Sequence, residues 1–567
     1  MSRFVRKAPS VCTDRPLNNS DVSTKLRSLK QLLTSCLGPT GRLKHVQNNI
    51  GGHVVTTSSS SVLLTSVTSS QPIIDLISSS ILHHVSRFSD CGLFAAVLCL
   101  SLIQEAKQSG VSRQVNKHLL SLCTSYLQHE HCGCRVPVDL SSTQDLITLS
   151  LSVVSSKPAC VLTEAEALHV SRLAVRAFLL TVPCGGPGPV TLGRTLSVGV
   201  EGASVLHSEV FPGLLVEVRD VFCLRTAETL RSDPLRVVLF STSLAGDLCE
   251  LGDGIIQVHP GVDTDSQILD QLLELCECVI RDGVKLFVCQ KVVHPVLQQY
   301  LRRHGVMVME RVGLSLMEPL ALLTGALPVA TLHATIPAKA YGTVKEVSIK
   351  EFGSKTMLHL EPAGESAICT MTLCHRNETM LSELKVVCQQ TEHVLRLTLK
   401  EPSALLGGGC TETHLAAHIR HQSVQEVAES ASALGCSQTE YLLGVEGFCR
   451  SLEAVAAALH HDGGDSFMDL THAHHWTRPA DAMTENMEDN SALCCGCGMV
   501  QSGPTVDMKW THLNTEHPEF SPAALLKDRA VQPRVLDSFT AKLNALQVAV
   551  ETANLVLDVR FVIQDTN

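Results

Sequence analysis

Two short segments near the N-terminus carry residue types suited to binding a phosphate group. The first is the loop from Leu37 to Gly41, in which Gly38 and Gly41 flank Pro39 and a helical pattern is expected after Arg42. Glycine-rich loops expose backbone N–H groups, and these can cradle a phosphate at a helix N-terminus. An ordinary Pro/Gly turn is the alternative interpretation of the same residues.

The second segment contains Asp90, which directly precedes an apolar stretch beginning near Leu93. Mg²⁺ favours one or two carboxylates together with phosphate oxygens, so a carboxylate at this position could hold the metal on a nucleotide phosphate. The alternative is that Asp90 only caps the following helix. The sequence lacks the Walker phosphate loop, the G-x-S-x-G elbow and the H-E-x-x-H zinc helix. We interpret the GDG run from Gly252 to Gly254 as a turn.

Histidines and cysteines gather late in the chain. Cys494 and Cys497 have C-x-x-C spacing, but no second spaced pair follows within the usual distance of a zinc ribbon. A polar surface insertion is therefore the favoured interpretation, and a metal site is the alternative. The residues concerned are His460, His461, Asp462, Asp465, His472, His474, His475, Cys494, Cys495 and Cys497.

The elements that would position the N-terminal and C-terminal candidates are mostly helical. Leu93 to Ala106 is apolar nearly all round, which predicts a central buried helix. A Thr/Ser run is flanked by Val54–Val55 and Val62–Leu64, which favours short strands on either side. Near the C-terminus, Asp537 is the predicted N-cap of a long helix whose apolar stripe runs from Phe539 to Leu557.

The middle of the chain has a different pattern. Lys285–Cys289 and Val306–Met309 are typical of short buried strands, and His294–Arg303 between them has helical spacing. This β–α–β order predicts an α/β domain between two helical regions that pack together. The triplet Gly407–Gly409 marks the end of that α/β region.

Composition limits the function. The chain has 567 residues, of which 44% are apolar, and its net charge is −11 with no dense run of Lys and Arg. It can bury large cores, and binding along a nucleic-acid backbone is disfavoured as a main role. Its 23 cysteines, an odd number in apolar contexts, are typical of buried thiols in a reducing compartment. No segment reaches the roughly 20 apolar residues that span a bilayer.

The order of these motifs over nearly the whole chain resembles that of the group II chaperonins. The matching segments are Leu37–Gly41 with the family's L-G-P-x-G loop, Asp90 with its G-D-G-T-T motif, Val288–Val312 with its F-C-Q-K apical run, Gly407–Glu412 with its G-G-G-x-x-E return, and Val535–Asp565 with its C-terminal D-P-x-x-V and long helix. The resemblance implies a mixed α and β chaperonin subunit. Its implied parts are a mostly helical equatorial domain (1–150 and 405–567), a small intermediate hinge domain (151–197 and 368–404) and an α/β apical domain (198–367).

The same resemblance implies an ATP and Mg²⁺ site, with Asp90 as the metal ligand. The implied nucleotide contacts are Leu37, Gly38, Pro39, Gly41, Asp90, Gly408, Gly409 and Asp537. The chain departs from the family where both phosphate-binding threonines after Asp90 are lost and where Ser382 replaces the hydrolytic aspartate. Glu383 is one position away, turned by about 100° on a helix. We therefore expect weak nucleotide binding and slow or absent hydrolysis, because water activation lacks its carboxylate.

The resemblance further implies a role in folding or assembling protein clients. Apolar stripes at Leu269–Cys276 and Val296–Leu301 could contact clients, or they could simply be core. The implied partners are other chaperonin-like subunits, the cytosolic chaperonin and subunits of the ciliary coat complex (the BBSome), in the cytoplasm and at the centrosome or basal body. Neither nucleic acid nor membrane insertion is expected. The alternatives are a non-catalytic scaffold that keeps the fold and a metal-dependent enzyme built on the His/Cys segment.

Overall fold

The computed structural model describes most of the chain. The described residues are 11–47, 54–67, 69, 71–110, 113–183, 192–218, 227, 234–246, 264–331, 336–353, 355–364, 368–461, 464–478, 493–501, 509–513 and 534–564. The Gly252–Gly254 run, Asp462 and Asp565 lie outside them.

The described α-helices, in chain order, are α1 Ser20–Thr34, α2 Ser60–Ser66, α3 Pro72–Phe88, α4 Gly92–Ser109, α5 Arg113–Gln128, α6 Thr143–Ser155, α7 Glu164–Thr181, α8 Thr264–Arg281, α9 Pro295–Arg303, α10 Leu314–Thr324, α11 Glu378–Lys400, α12 Cys410–Gln425, α13 Val427–Leu434, α14 Gln438–Ala457 and α15 Phe539–Asp558. The described strands are β1 Val11–Asp14, β2 Lys44–Gln47, β3 Val54–Thr57, β4 Arg135–Pro137, β5 Arg194–Glu201, β6 Glu209–Pro212, β7 Leu214–Glu217, β8 Leu235–Phe240, β9 Leu286–Cys289, β10 Met307–Met309, β11 Tyr341–Phe352, β12 Lys355–Pro362, β13 Ile368–His375, β14 Ser403–Leu406, β15 Asp465–Asp469, β16 His475–Arg478, β17 Trp510–His512, β18 Leu536–Ser538 and β19 Phe561–Gln564.

The chain forms two compact units. Unit 1 combines residues 1–175 with residues 382–567, and unit 2 is the continuous stretch 176–381. The two ends of the chain therefore share one unit, as their helical patterns indicated. The finer division into equatorial, intermediate and apical domains stays a prediction.

The helix α4 lies at the centre of unit 1. Every residue from Gly92 to Ile103 is buried, which confirms the helix predicted from its all-round apolar sequence. The helices α1, α3, α14 and α15 pack around it. A three-stranded antiparallel sheet, ordered β18-β14-β4, brings the two ends of the chain together because β14 pairs with a strand from each.

Two local predictions in unit 1 are wrong. Val62–Leu64 belongs to α2 rather than to a strand, because Leu63 and Leu64 turn into the core as a helical pair. The helix expected after Arg42 is absent, since Lys44–Gln47 forms β2 and pairs antiparallel with β3. In both places tertiary contacts decide between helix and strand for a short sequence that favours neither strongly.

Unit 2 contains a six-stranded mixed sheet with the order β10-β9-β8-β11-β12-β7. The strands β8, β9 and β10 are parallel, and α9 connects β9 to β10, so the predicted β–α–β motif is confirmed. A second sheet, β5-β13-β6, lies wholly within the same stretch of chain.

The two apolar stripes considered for client contact are mainly core. In the first stripe, Leu272, Leu275 and Cys276 are buried, and in the second Leu297 and Leu301 are buried. Val296 alone among the apolar side chains of the second stripe is exposed, at 43%. The cysteines in the described part of the chain all have free thiols. Among the described helices none has the length and apolar character needed to span a bilayer.

Candidate functional site

A cavity of about 270 Å³ lies within unit 1. Its walls come from the loop after α1, the N-terminal ends of α4 and α12, and the segment that leads through β18 into α15. This volume is close to the lower limit of ordinary small-molecule pockets, about 300 Å³. The structure brings together at this cavity seven of the residues predicted to bind a nucleotide, namely Leu37, Gly38, Pro39, Asp90, Gly408, Gly409 and Asp537.

The remaining predicted contact, Gly41, closes the loop instead of lining the cavity. Its N–H donates to the Gly38 carbonyl oxygen at 3.1 Å, and a Cβ at this position would lie 2.5 Å from the carbonyl oxygen of Cys36. Gly38 has a φ of +80°, a left-handed conformation that glycine adopts without a steric penalty. Both glycines are therefore required by the shape of the loop, whatever it binds.

The N-terminus of α4 forms a second wall. Its N-cap is Cys91, with a φ of 59° and no capping side chain, so Asp90 does not cap this helix. The interpretation of Asp90 as a cap is wrong, and Asp90 is one of the residues that line the cavity. The first turn of α4 carries no acidic residue. Uncapped N–H groups and the helix dipole favour an anion at this end of a helix.

The glycine turn between β14 and α12 forms a third wall. Gly408 and Gly409 have φ values of 63° and 85°, and Gly409 is the N-cap of α12. A Cβ on Gly408 would lie 2.2 Å from the carbonyl oxygen of Gly496, a residue that also lines the cavity. The turn thus needs glycine because another backbone segment lies directly against it.

A buried charge cluster lies at the start of α15. Lys542 Nζ is 2.5 Å from Glu412 Oε1 and 2.5 Å from Asp537 Oδ2. Burial alone lowers the pKa of Lys542, but the two carboxylates outweigh this effect and raise its pKa above the ordinary value. Burial raises the pKa of Asp537, although Lys542 opposes the shift. The lysine is therefore engaged by protein carboxylates and is not a spare cation for phosphate.

The position of Asp537 differs from its prediction as a helix cap. It lies in β18 and pairs with Leu405, while Ser538 is the N-cap of α15 and its Oγ accepts from the N–H of Ala541 at 3.4 Å. Strand pairing fixes the backbone of Asp537, and its side chain contacts Lys542 instead.

Sequence reasoning missed Lys542 and Glu412. A signal for Lys542 was present, since it follows Phe539 by three residues and precedes Leu546 by four, which puts a charge on the buried stripe. Glu412 ends the GGGCTE segment and was part of a recognised motif.

Neither Ser382, at the position of the family's hydrolytic aspartate, nor the neighbouring Glu383 lines this cavity. Ser382 is exposed on α11, and the neighbouring Glu383 is buried. Burial raises the pKa of Glu383, while a hydrogen bond from Thr57 opposes the rise. Glu383 therefore packs beside the end of β3, and the described acidic residues lining the cavity are Asp90, Glu412 and Asp537.

The His/Cys segment is not a polar surface insertion where it is described. The strands β16, β15 and β17 form a small sheet, and His474, His475, Cys495 and Cys497 are all buried. Cys494, one half of the C-x-x-C pair, is partly exposed and forms an isolated bridge with Gln501. His475 Nδ1 lies 2.9 Å from the Gly408 carbonyl oxygen, which connects this segment to the glycine turn.

Comparison with known proteins identifies the family. The chain is 46% identical over 574 aligned residues to "Molecular chaperone MKKS" of Homo sapiens and 43% identical to the Mus musculus protein of the same name, with both chains fully covered. It is 22% identical to "Thermosome subunit alpha" of Halobacterium salinarum, over 79% of this chain and 77% of the relative. The model of the TCP-1/cpn60 chaperonin family matches residues 29–567, which is nearly all of the sequence. Since the match covers both halves of the cavity-bearing unit and all of unit 2, this chain belongs to the TCP-1/cpn60 chaperonin family.

Proposed function

We propose that this protein is a chaperonin-like molecular chaperone that binds a nucleotide with Mg²⁺ in the cavity of unit 1 and hydrolyses it slowly or not at all. The observation that carries the nucleotide proposal is the position of Asp90. Asp90 lines the cavity beside the uncapped N-terminus of α4, so a metal on its carboxylate and a phosphate at the helix end could be held next to each other.

The proposal of slow hydrolysis rests on the residues around that metal position. Phosphoryl transfer needs a group that orients or activates the attacking water as well as a bound metal. Ser382 is exposed, Glu383 packs against Thr57, and neither side chain lines the cavity. Asp537 and Glu412 line it, but both are engaged by Lys542.

Calorimetric titration with ATP, with and without Mg²⁺, tests the nucleotide site. We expect weak, saturable binding that requires Mg²⁺ and that falls roughly tenfold, about 1.4 kcal/mol, in Asp90→Asn. Glu130→Gln, an exposed carboxylate in the turn after α5, is the matched control and should bind as the unmodified chain does. Turnover at the rate of an active chaperonin, abolished by Asp90→Asn, would contradict the hydrolysis part of the proposal.

A non-catalytic scaffold is the second candidate function. The specific observation in its favour is the engagement of Lys542 by two carboxylates, which leaves Lys157 as the only lysine of the described cavity lining outside that ion-pair cluster. The lining carries three carboxylates, from Asp90, Glu412 and Asp537, against these two lysines, and an excess of negative charge disfavours phosphate unless a further cation such as Mg²⁺ is bound. Titration that shows no binding at any Mg²⁺ concentration would support the scaffold over the nucleotide-binding chaperone.

We further propose that the protein acts on non-native or assembling protein clients together with other chaperonin-like subunits and the cytosolic chaperonin. Its proposed place is the cytoplasm and the centrosome or basal body, where it would help assemble the ciliary coat complex. The similarity to relatives named as molecular chaperones supports the chaperone role. Mass spectrometry of the native complex tests the partners, and a strictly monomeric protein without any chaperonin-family partner would contradict them.

A further inference from the structure

Three cysteines and one histidine converge behind the glycine turn of unit 1. Cys410, His474, Cys495 and Cys497 are all buried, and their sulfur and ring nitrogen atoms all lie within 4.8 Å of one another. The sulfur atoms of Cys495 and Cys497 are 3.3 Å apart, and His474 Nδ1 lies 3.3 Å and 3.6 Å from them. Four soft or borderline ligand atoms therefore face one point inside the protein.

These separations match the edges of a small coordination tetrahedron. Bonds of about 2.3 Å from zinc to sulfur give sulfur–sulfur edges of about 3.8 Å in a regular tetrahedron. The observed spread of 3.3 to 4.8 Å brackets that value. Three cysteines with one histidine, closed to solvent, is also a ligand set typical of structural zinc rather than of catalytic zinc, which keeps an open position.

The backbone around the cluster donates to the sulfur atoms. The N–H of Cys497 lies 3.3 Å from Cys410 Sγ, and the N–H of Val500 lies 3.1 Å from Cys495 Sγ. Cys495 and Val500 are tied by a second bond, from the N–H of Cys495 to the carbonyl oxygen of Val500 at 2.9 Å. Hydrogen bonds of this kind stabilise a thiolate, which is the form of cysteine that binds a metal.

The histidine is positioned by Asp469, which is fully buried at the end of β15. Asp469 Oδ2 accepts from the His474 N–H at 3.0 Å and from Trp476 Nε1 at 2.8 Å. Ala473, immediately before the histidine, has a φ of 57°, a conformation that is costly for a residue other than glycine. The loop thus holds an unfavourable backbone geometry that presents His474 to the three sulfur atoms.

The four ligands come from two separate parts of the chain. Cys410 is the first residue of α12, directly after Gly407–Gly409, whereas the other three belong to the segment between α14 and β18. Gly496, between two of the cysteines, lies against Gly408 and lines the cavity. A metal held here would therefore fix the described stretches 465–478 and 493–501 against the turn that forms one wall of the cavity.

We propose that Cys410, His474, Cys495 and Cys497 bind one structural Zn²⁺ ion. Zinc binding at this site requires neither nucleotide binding nor chaperone activity. The zinc proposal can therefore be supported or refuted independently of the proposed function. Its role is to fasten the glycine turn to the segment that follows α14. The adjacent Cys494 is not a ligand, although its C-x-x-C spacing to Cys497 would suggest one from sequence.

The test is the zinc content of the full-length protein purified without chelators from zinc-supplied cells. We expect about one zinc per chain, and cobalt substitution should give the visible bands of a tetrahedral ion with thiolate charge-transfer absorption. A zinc-free folded chain without those cobalt bands would overturn the proposal, as would an oxidised Cys495–Cys497 pair found by mass spectrometry of the unreduced protein.

Variants identify the ligands. Cys497→Ser and His474→Ala should lose at least nine-tenths of the zinc, whereas Cys494→Ser, the matched control, should retain all of it. Because either loss variant could fail to fold, His474→Cys is the decisive companion. It offers a fourth thiolate, and we expect it to keep zinc while shifting the cobalt spectrum toward a four-sulfur site. Loss of zinc in Cys494→Ser together with retention in Cys497→Ser would refute the assigned ligand set.

Discussion

At the scale of single residues, Lys542 is the most consequential side chain of the cavity. It is a lysine on the buried stripe of α15, and its Nζ contacts two carboxylates and lies 4.8 Å from the centre of the Phe94 ring. Removing one partner of a buried ion pair leaves the other charges without compensation in a medium that solvates them poorly. The lysine is therefore the positive partner of two carboxylates beside the cavity.

We expect Lys542→Met to lower the free energy of unfolding by about 3–5 kcal/mol, because it leaves the buried carboxylate of Glu412 and the partly buried carboxylate of Asp537 unpaired. Urea unfolding of the full-length protein measures the effect. Lys25→Met is the matched control, since Lys25 is paired with Asp21 on α1 but its side chain is 40% exposed. The control should change stability by less than about 0.5 kcal/mol. Equal effects of the two variants would contradict the role assigned to Lys542.

Much of the cavity could be predicted from sequence because its loops are local motifs. The Leu37–Gly41 loop, Asp90 and the glycine turn match short motifs of the group II chaperonins, whereas their residue types alone left an ordinary turn and a helix cap open. Lys542 with its two carboxylates depends on β14 pairing with β18, which joins positions far apart in the chain. Cys410 likewise lies more than sixty residues before its histidine partner, so no spacing rule links them.

At the scale of elements, α4 shows where sequence patterns are reliable. A long helix that is apolar on all faces has one stable environment, which is the interior of a helical unit. The short segments around it were less predictable, because Val62–Leu64 and Lys44–Gln47 take the conformation that their neighbours impose. The start of α4 is also fixed by packing, since Gly92 lies directly against α2 and α3.

We expect Gly92→Ala to destabilise the protein by about 1–3 kcal/mol through overpacking. A Cβ there would lie 2.4 Å from Ser60 Oγ and 2.5 Å from Val85 Cγ2, and both residues are buried. Gly447→Ala in α14 is the matched control, because its Cβ would meet no atom closer than 3.4 Å. Helix propensity predicts that the control is neutral or stabilising by up to about 1 kcal/mol. Thermal unfolding measures the stability of both variants. A Gly92→Ala variant that is more stable than the unmodified protein would refute the packing argument.

At the scale of the whole molecule, the two units differ in how the chain builds them. Unit 2 is one continuous stretch that contains all strands of its two sheets and its own apolar clusters. Unit 1 requires both ends of the chain. Independent cores unfold independently unless a large interface couples them, so a single two-state transition is not expected for the full chain.

We expect the fragment 176–381 to fold by itself and to unfold cooperatively in urea. The full-length protein should show two transitions, one of them at the midpoint of the isolated fragment. Circular dichroism of both proteins measures this. A fragment without a cooperative transition would show that unit 2 depends on unit 1 for its stability.

Unit 1 is complete only when the C-terminal part of the chain has been made, and this affects the synthesis of the protein. The helix α15 lies near the C-terminus of the sequence. It packs against α3, α4 and α5, which all lie in the N-terminal part of the sequence. At about 5–20 residues per second, roughly 20–90 s pass between translation of α4 and translation of α15. Throughout that interval α4, whose residues from Gly92 to Ile103 are all buried in the folded unit, lacks its main packing partner on the ribosome. A newly made chain of this chaperonin family member should therefore itself need a holding chaperone until its last helix emerges.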